Sequence, residues 1–202
     1  MEARSLRARG RPGAHLRSVA LLAAPGGNPA HLASLVWGLA QRGELVVHLE
    51  LVLYASAANY LEAEFEQAGG PLDQLRGQLG GLARIERTLV RDAHGRALEE
   101  DAELEDQLAF ARTVWARARA LGEGELPVIY GLVGGRRRTL TVDLATTFQL
   151  LARPEDRLVD LRLHPKYADD PRTGFAFPGQ ESEARVPAAL GAEELLSAAE
   201  VR

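Results

Sequence analysis

Apolar residues along this chain follow two patterns, and the two patterns alternate. Short continuous apolar runs predict strands over 18–24, the second half of 45–54, 83–90, 128–133 and 157–163, with 175–178 as a short edge strand. Repeats of three or four residues predict helices over 29–41, 59–67, 71–79, 101–121, 139–151 and 191–201. Strands that alternate with helices imply βαβ crossovers. We therefore expect an α/β, Rossmann-like fold, in which a mostly parallel sheet carries helices on both faces.

The long helix predicted over 101–121 carries its apolar residues on one face. Those residues are Leu104, Leu108, Ala111, Val114 and Trp115. A face of this kind is expected to pack against the core. Trp37 falls on the apolar face of an earlier helix, and the same packing is expected for it.

The length and the start of the chain bear on its domain organisation. The 202 residues suffice for one domain, and we expect a flexible tail over 1–17, a Rossmann-like domain over 18–180 and a C-terminal helix and tail over 181–202. The arginine-rich start has the outline of a signal peptide, but its apolar run is short and the turn at 25–27 interrupts it. No segment is apolar over the length of a bilayer crossing. We expect a cytoplasmic protein without a membrane partner.

The charge and the composition restrict the ligands. The net charge of −4 disfavours binding to long nucleic acid, which requires a basic face. A small phosphate ligand in one local basic pocket is compatible with it. The absence of cysteine excludes disulfides, thiolate metal sites and cysteine nucleophiles. The five histidines lack the spacing of a metal site, so neither a metal nor a cofactor is expected.

An arginine cluster opens the helix that follows the strand over 128–133. The strand stops at Gly134-Gly135, and Arg136, Arg137 and Arg138 come next. Free N–H groups and the helix dipole attract anions at a helix start. Three cations oppose that dipole, so a bound anion is the simplest compensation, whereas a solvated helix start is the alternative. The cluster predicts a phosphate site and favours a phosphodiester.

A glycine turn follows the first strand. Gly26-Gly27-Asn28 can bring the backbone close to a ligand, although a plain tight turn is the alternative. The turn is not a GxGxxG motif, and no acidic residue closes the second strand, which disfavours a dinucleotide. Ligands of parallel sheets lie outside the carboxyl ends of the strands. We therefore expect this turn, Ser56 and the segment 134–138 to line one site.

The order of several short motifs resembles a known family. The motifs are Leu-Leu-Ala-Ala-Pro-Gly-Gly-Asn-Pro over 21–29, Ser56 after the second strand, Arg91-Asp92-x-x-Gly95-Arg96-x-Leu98, Val-Gly-Gly-Arg-Arg over 133–137, His-Pro-Lys-Tyr over 164–167 and Phe-Ala-Phe-Pro over 175–178. This order resembles the CRISPR-associated Rossmann-fold domains of type III CRISPR systems. It looks closest to the small stand-alone ring nucleases of that family. The resemblance covers roughly 18–178.

The resemblance implies a homodimer that binds a cyclic oligoadenylate across its two-fold axis and, in stand-alone members, cleaves it. It implies a role in switching off type III CRISPR signalling, with cyclic tetra-adenylate as the expected ring. Because the ribose 2′-hydroxyl beside each phosphodiester is an internal nucleophile, we expect cleavage without metal to linear products with 2′,3′-cyclic phosphate ends. Ligand binding is expected from Gly26, Gly27, Ser56, Gly134, Gly135, Arg136 and Arg138.

Two residues are the expected catalytic groups. Arg137 would stabilise charge on the phosphoryl oxygens, and Asn28 would orient the 2′-hydroxyl. The family motif commonly ends in lysine where this chain has Arg137, and arginine binds phosphate but does not give up its proton.

Two other functions fit the same sequence features. One is a non-catalytic sensor that binds the ring and reports to a separate partner through the C-terminal helix. The other is a generic nucleotide or sugar-phosphate binder of this topology. The short stretch after Pro178 favours a stand-alone ring nuclease over a sensor with an attached effector domain.

Overall fold

A computed structural model of the chain describes residues 16–25, 30–64, 84–100, 102–133, 138–163 and 196–201. Within these ranges the strands are β1 (Arg17–Ala23), β2 (Glu44–Leu53), β3 (Arg84–Leu89), β4 (Val128–Val133), β5 (Arg157–Leu163) and β6 (Leu196–Val201). The helices are α1 (Ala30–Gln41), α2 (Ala55–Glu64), α3 (Leu104–Gly122) and α4 (Arg138–Leu151).

The strands form one sheet in the order β3-β2-β1-β4-β5-β6. The first five strands of that order are parallel, and β6 runs antiparallel to β5 at the edge. The predicted α/β, Rossmann-like fold with a mostly parallel sheet is therefore confirmed.

Alternate residues of the strands pack against helices on opposite faces of the sheet. Leu21 and Ala23 of β1 lie in the core cluster that contains apolar residues of α1 and α2. Ala20 and Leu22 lie in the second cluster, with apolar residues of α3 and α4. Because both faces are covered, the central strands are continuous apolar runs rather than alternating ones.

The centre of the sheet is the parallel pairing of β1 with β4, in which Ala20 is opposite Val128 and Ala23 is opposite Gly131. From β1 the chain winds outward through β2 to β3, and from β4 it winds the other way to β5. The carboxyl ends of β1 and β4 therefore flank the point where the winding direction reverses. Ligands of doubly wound sheets bind in the crevice at this point.

The C-terminal element differs from the expectation. Residues 196–201 form β6, so the helix predicted over 191–201 is wrong for these residues. The local sequence suits a helix, but pairing of Leu196 with Leu163 and of Val201 with Leu158 supplies partners to the outer edge of β5. An unpaired edge leaves backbone donors and acceptors open, and tertiary pairing of this kind overrides local propensity.

Most other predicted elements are confirmed with small shifts. β1 begins at Arg17, and α2 begins at Ala55 rather than Asn59 because the helix follows β2 after a single residue. The expected helix over 71–79 and the strand over 175–178 lie outside the described residues, as do 1–15 and the boundary at 180.

The prediction for the tryptophans is half right. Trp37 is partly buried against the core, as expected. Trp115 is 40% exposed, and Leu104 and Leu108 are 69% and 48% exposed, so their expected burial is wrong. Helix α3 carries two apolar stripes, and the core takes the stripe of Phe110, Val114 and Ala118, which repeat every four residues.

Gly131 allows helix α1 to approach the β1–β4 pair closely. A Cβ atom at this position would lie 2.7 Å from Leu35 Cδ2 and 2.9 Å from Leu21 Cδ1. Both neighbours are fully buried, so neither can move freely. We predict that Gly131→Ala lowers the free energy of unfolding by about 1–3 kcal/mol, as overpacking does.

The matched control is Gly38→Ala within α1, where a Cβ atom would meet nothing within 4 Å. This change should be neutral or stabilising by up to about 1 kcal/mol, because alanine favours a helix. Urea unfolding measures both. Equal losses in the two variants would contradict close packing at Gly131.

Candidate functional site

The predicted site residues follow the carboxyl ends of neighbouring strands. Gly26, Gly27 and Asn28 come after β1, and Gly134, Gly135, Arg136 and Arg137 come after β4; all seven lie outside the described residues. Arg138 is the first residue of α4, although its side chain lies outside the described part. The pairing of β1 with β4 therefore brings the two strand ends that lead into these segments next to each other.

Ser56 lies in the first turn of α2, directly after β2, and is exposed. Its hydroxyl donates a hydrogen bond of 2.6 Å to the carbonyl oxygen of Glu99. Beside it, the Ala55 N–H donates to the Leu98 carbonyl at 2.9 Å. The segment after β3 thus supplies acceptors to the start of α2. The Ser56 oxygen retains its capacity to accept a hydrogen bond from a ligand hydroxyl.

A tight turn follows β3 at the same edge of the sheet. Asp92 Oδ1 accepts hydrogen bonds from the backbone N–H groups of His94 and Arg96, at 2.8 and 2.9 Å. Gly95 has φ +80°, a left-handed conformation that favours glycine. Arg91 donates to the Gly95 carbonyl at 2.7 Å. The motif that contributed to the family resemblance therefore builds a turn here, and the chain leaves this turn toward α2.

The Asp92 carboxylate is held in its charged form. The hydrogen bond from the backbone N–H of Arg96 is the largest influence and lowers the pKa of Asp92, whereas burial raises it. The Arg96 side chain and the His94 N–H lower this pKa further. Together they place the pKa of Asp92 below its ordinary value of 3.8.

A second polar cluster lies on the sheet beneath α3, and sequence analysis missed it. His48 Nε2 lies 3.8 Å from Glu50 Oε2 and 3.8 Å from Glu86 Oε2. A register shift between Val19 and Ala20 moves the pairing of β2 from Val46 to His48. The extra residue turns His48 and Glu50 toward the α3 face, and a bulge of this kind leaves no reliable mark in the sequence.

Arginines compensate the buried carboxylate of Glu50 and the partly buried carboxylate of Glu86. Arg117 of α3 donates to Glu50 at 2.7 Å and to Glu86 at 2.9 Å, and the Thr88 hydroxyl donates to Glu50 at 2.8 Å. Arg84 forms an ion pair with Glu86. Glu50 is fully buried, so these bonds replace the water that it lost on folding.

The pKa directions agree with this arrangement. Burial raises the pKa of Glu86, but the charge of Arg84 and a hydrogen bond with Glu50 outweigh that effect, and the net pKa is lowered. The hydrogen bond to Glu50 is the main cause that raises the pKa of Arg117.

His48, Glu50 and Glu86 could hold a metal ion, since their ligand atoms lie within 4.8 Å of one another. Arg117 already bonds to both carboxylates, and with Arg84 it balances their two negative charges. Glu50 also precedes the end of β2 by three residues, or about 10 Å of strand. We interpret the cluster as an ion-pair network that joins β2, β3 and α3.

A second network closes the amino-terminal end of the sheet. Arg153 donates to the carbonyl groups of Gly122, Gly124 and Leu126, and it pairs with Asp156. Asp156 also accepts the Val128 N–H at 2.7 Å. Burial, with the nearby charge of Asp156, raises the pKa of Tyr130 to about 12. These contacts fix the loop between α3 and β4 at the edge opposite the predicted ligand site.

No protein-family model matches this chain, and no curated protein is significantly similar to it in sequence. Among the described helices, none has the length and apolarity of a bilayer-spanning segment. Function is therefore inferred from the fold and from the residues at the carboxyl ends of its strands.

The ion-pair network predicts a large cost when one partner is removed. Arg117→Met leaves Glu50 buried without its main counter-charge, and we expect a loss of about 3 kcal/mol in the free energy of unfolding. Arg117→Lys keeps the charge and should lose less. The double variant Glu50→Gln with Arg117→Met should lose less than the sum of the two single losses. Urea unfolding measures the loss in each of the three single variants and in the double variant. Strict additivity of the Glu50→Gln and Arg117→Met losses would refute the network.

The Asp92 turn predicts a defined pH dependence. A lowered pKa means that Asp92 stabilises the fold above pH of about 4, and that this contribution disappears as the pH falls through the folded-state pKa. Asp92→Asn keeps the Oδ1 acceptor but loses the charge. Its urea midpoint should lie below that of the wild type at pH 7, and the difference should shrink as the pH falls below about 4. Glu99→Gln, an exposed carboxylate in the same segment, is the control, and an equal shift in it would contradict this assignment.

Proposed function

We propose that this protein is a cytoplasmic ring nuclease of type III CRISPR defence. Two copies of the chain bind one cyclic oligoadenylate, with cyclic tetra-adenylate as the first candidate, at the carboxyl ends of their strands. The protein then cleaves the ring without metal and so ends the signal that the ring carries.

The observation that carries this proposal is the adjacency of β1 and β4 at the reversal of winding. The glycine turn 26–28 and the arginine cluster 136–138 follow these two strands in the sequence. Adjacent parallel strands end at the same edge, and ligands of this topology bind there. A glycine-rich segment and an arginine cluster that follow adjacent strands suit a ligand with several phosphates, because the backbone can approach while the guanidinium groups supply the charge.

The helix starts at this edge support an anionic ligand. The first turns of α1 and α4 carry no acidic residue. Helix α3, in contrast, has Glu105 and Asp106 in its first turn, and the Asp106 carboxylate accepts the Glu103 N–H at 3.0 Å. Acidic side chains compensate the positive end of α3. At α1 and α4, which follow β1 and β4, a ligand phosphate would take that role.

The proposed reaction uses a nucleophile within the ring. The ribose 2′-oxygen attacks the adjacent phosphorus, so that the O2′–P bond forms and the P–O5′ bond breaks. The 2′-hydroxyl proton passes to solvent, and the leaving 5′-oxygen takes a proton from water. Alignment of the two oxygens makes the step intramolecular and supplies much of its rate. Asn28 would orient the 2′-hydroxyl, and Arg137 would stabilise charge on the phosphoryl oxygens.

The direct test is incubation of the purified protein with cyclic tri-, tetra- and hexa-adenylate, with and without EDTA, followed by chromatography and mass analysis. We expect turnover of the tetra-adenylate in both conditions, to linear products with 2′,3′-cyclic phosphate ends. Stoichiometric binding without turnover would show that the protein is a sensor and not an enzyme. Equal competition by linear and cyclic adenylates would indicate a generic nucleotide binder.

The role of Arg137 predicts a specific variant effect. Arg137→Ala should lower the single-turnover cleavage rate more than about tenfold, because a charge that stabilises the phosphoryl oxygens is lost. Arg137→Lys should retain most of the rate. The control is Arg42→Ala, which removes an exposed arginine after α1, at the opposite edge of the sheet. This variant should leave the cleavage rate unchanged. An unchanged rate in Arg137→Ala would remove this residue from the mechanism.

A further inference from the structure

Helix α3 exposes an apolar stripe. Leu104, Leu108 and Trp115 lie on one side of the helix, at spacings of four and seven residues, and each is at least 40% exposed. The neighbouring α4, which packs beside α3, exposes Val142 and Leu150. Single exposed apolar residues are common, but three on one side of a helix are typical of an interaction surface.

Charged residues lie along the same side of α3. Glu105, Arg112 and Arg119 recur every seven residues beside the apolar stripe, and all three are exposed. The first turn of the helix is acidic, with Glu105 and Asp106, and its last turn is basic, with Arg119, which lies 3.8 Å from the exposed Glu123 directly after the helix. A partner that complements this surface carries the opposite order of charges.

We propose that this surface binds the same surface of a second copy of the chain, with the two α3 helices antiparallel about a two-fold axis near Arg112. An antiparallel copy presents the required reversed order of charges, so that Glu105 faces Arg119 of the second copy. Leu108 and Trp115 lie four and three residues from the axis, on opposite sides of it. Leu108 of each copy therefore packs near Trp115 of the other copy. The contact is isologous, which is the commonest form of self-association.

A parallel arrangement of the two helices is less favourable. It would bring the two acidic first turns together and the two basic last turns together. Opposed charges also steer association and fix the register of a contact. The charge order therefore selects the antiparallel copy.

This interface is distinct from the contact that would share a ring. Helix α3 begins near the carboxyl end of β2, where Tyr54 Oη donates to the Asp106 carbonyl at 3.4 Å. It ends near the opposite edge, where Arg153 donates to Gly122. A two-fold axis across α3 reverses the strands as well, so the two ligand edges point away from each other. The inference thus does not depend on the proposed function, and the two contacts together would join more than two copies of the chain.

Charge exchange tests the interface. Glu105→Arg and Arg119→Glu each place like charges opposite one another, and each should weaken α3-mediated self-association about tenfold in sedimentation equilibrium. The double variant restores opposite charges and should return to within about threefold of the wild type. Recovery in the double variant separates a contact between copies from local damage to the helix, because both local changes persist in it.

Two further variants extend the test. Leu108→Glu should abolish this association step, with circular dichroism confirming the fold. Arg112→Ala removes the like-charged pair nearest the axis and should strengthen association.

Single variants with unchanged association, or a double variant no stronger than the singles, would exclude the antiparallel contact. A wild type that stays monomeric at all concentrations would show that another part of the chain, or nothing, covers the stripe. Loss of ring binding together with this association step would place α3 at the ring-sharing contact and refute the arrangement. Loss of cleavage with association intact would affect only the proposed function.

Discussion

The parallel ladder between β1 and β4 is the constraint on which the rest of the molecule depends. Parallel strands cannot be joined by a hairpin, so each one requires a crossover, and every crossover returns the chain from the carboxyl edge to the amino edge. Since the chain winds in opposite directions from these two strands, the crossovers that leave them cover opposite faces of the sheet. The close approach of α1 over Gly131 holds this pair from one face, and α3 and α4 hold it from the other.

The outer part of the sheet requires a different kind of stabilisation. β3 is an edge strand with exposed Arg84 and Arg87, and it has less apolar surface to bury than the central strands. Arg117 reaches from α3 to carboxylates on β2 and β3 and so joins three elements through charge. Replacing a buried ion pair by apolar residues of similar volume is often neutral, but removing one partner is costly because it leaves the other charge buried. The bulge in β2 places Glu50 in this network, and β2 pairs with β3 so that Glu50 lies opposite Glu86.

Much of the fold could be predicted from the sequence, because buried parallel strands are continuous apolar runs. The apolar runs that begin at Ser18 and Val128 predict β1 and β4 to within one residue. The position of these two strands side by side in the sheet defines the switch point. His48 and Glu50 could not be found in this way, since a bulge that turns them inward has no sequence pattern. Trp115 was misplaced because helical spacing alone does not say which of two apolar stripes faces the core. Residues 196–201 were misplaced because the open edge of β5 decides their conformation.

The sequence identified two segments of the candidate site, 26–28 and 134–138. The strands that precede them, β1 and β4, are neighbours in the sheet. Chemistry at such a site depends on how positive charge is arranged rather than on how much there is. A helix start with its own carboxylates, such as that of α3, is electrostatically complete. The helix α4 begins at Arg138, and Arg136 and Arg137 precede it in the sequence; positive charge at the positive end of a helix dipole costs free energy, which a bound anion would offset. Because arginine keeps its proton, such a site can hold and polarise a phosphodiester but leaves proton transfer to solvent. Positioning of the 2′-oxygen must then provide most of the rate, which makes the glycine turn after β1 as important to the proposed reaction as the guanidinium groups after β4.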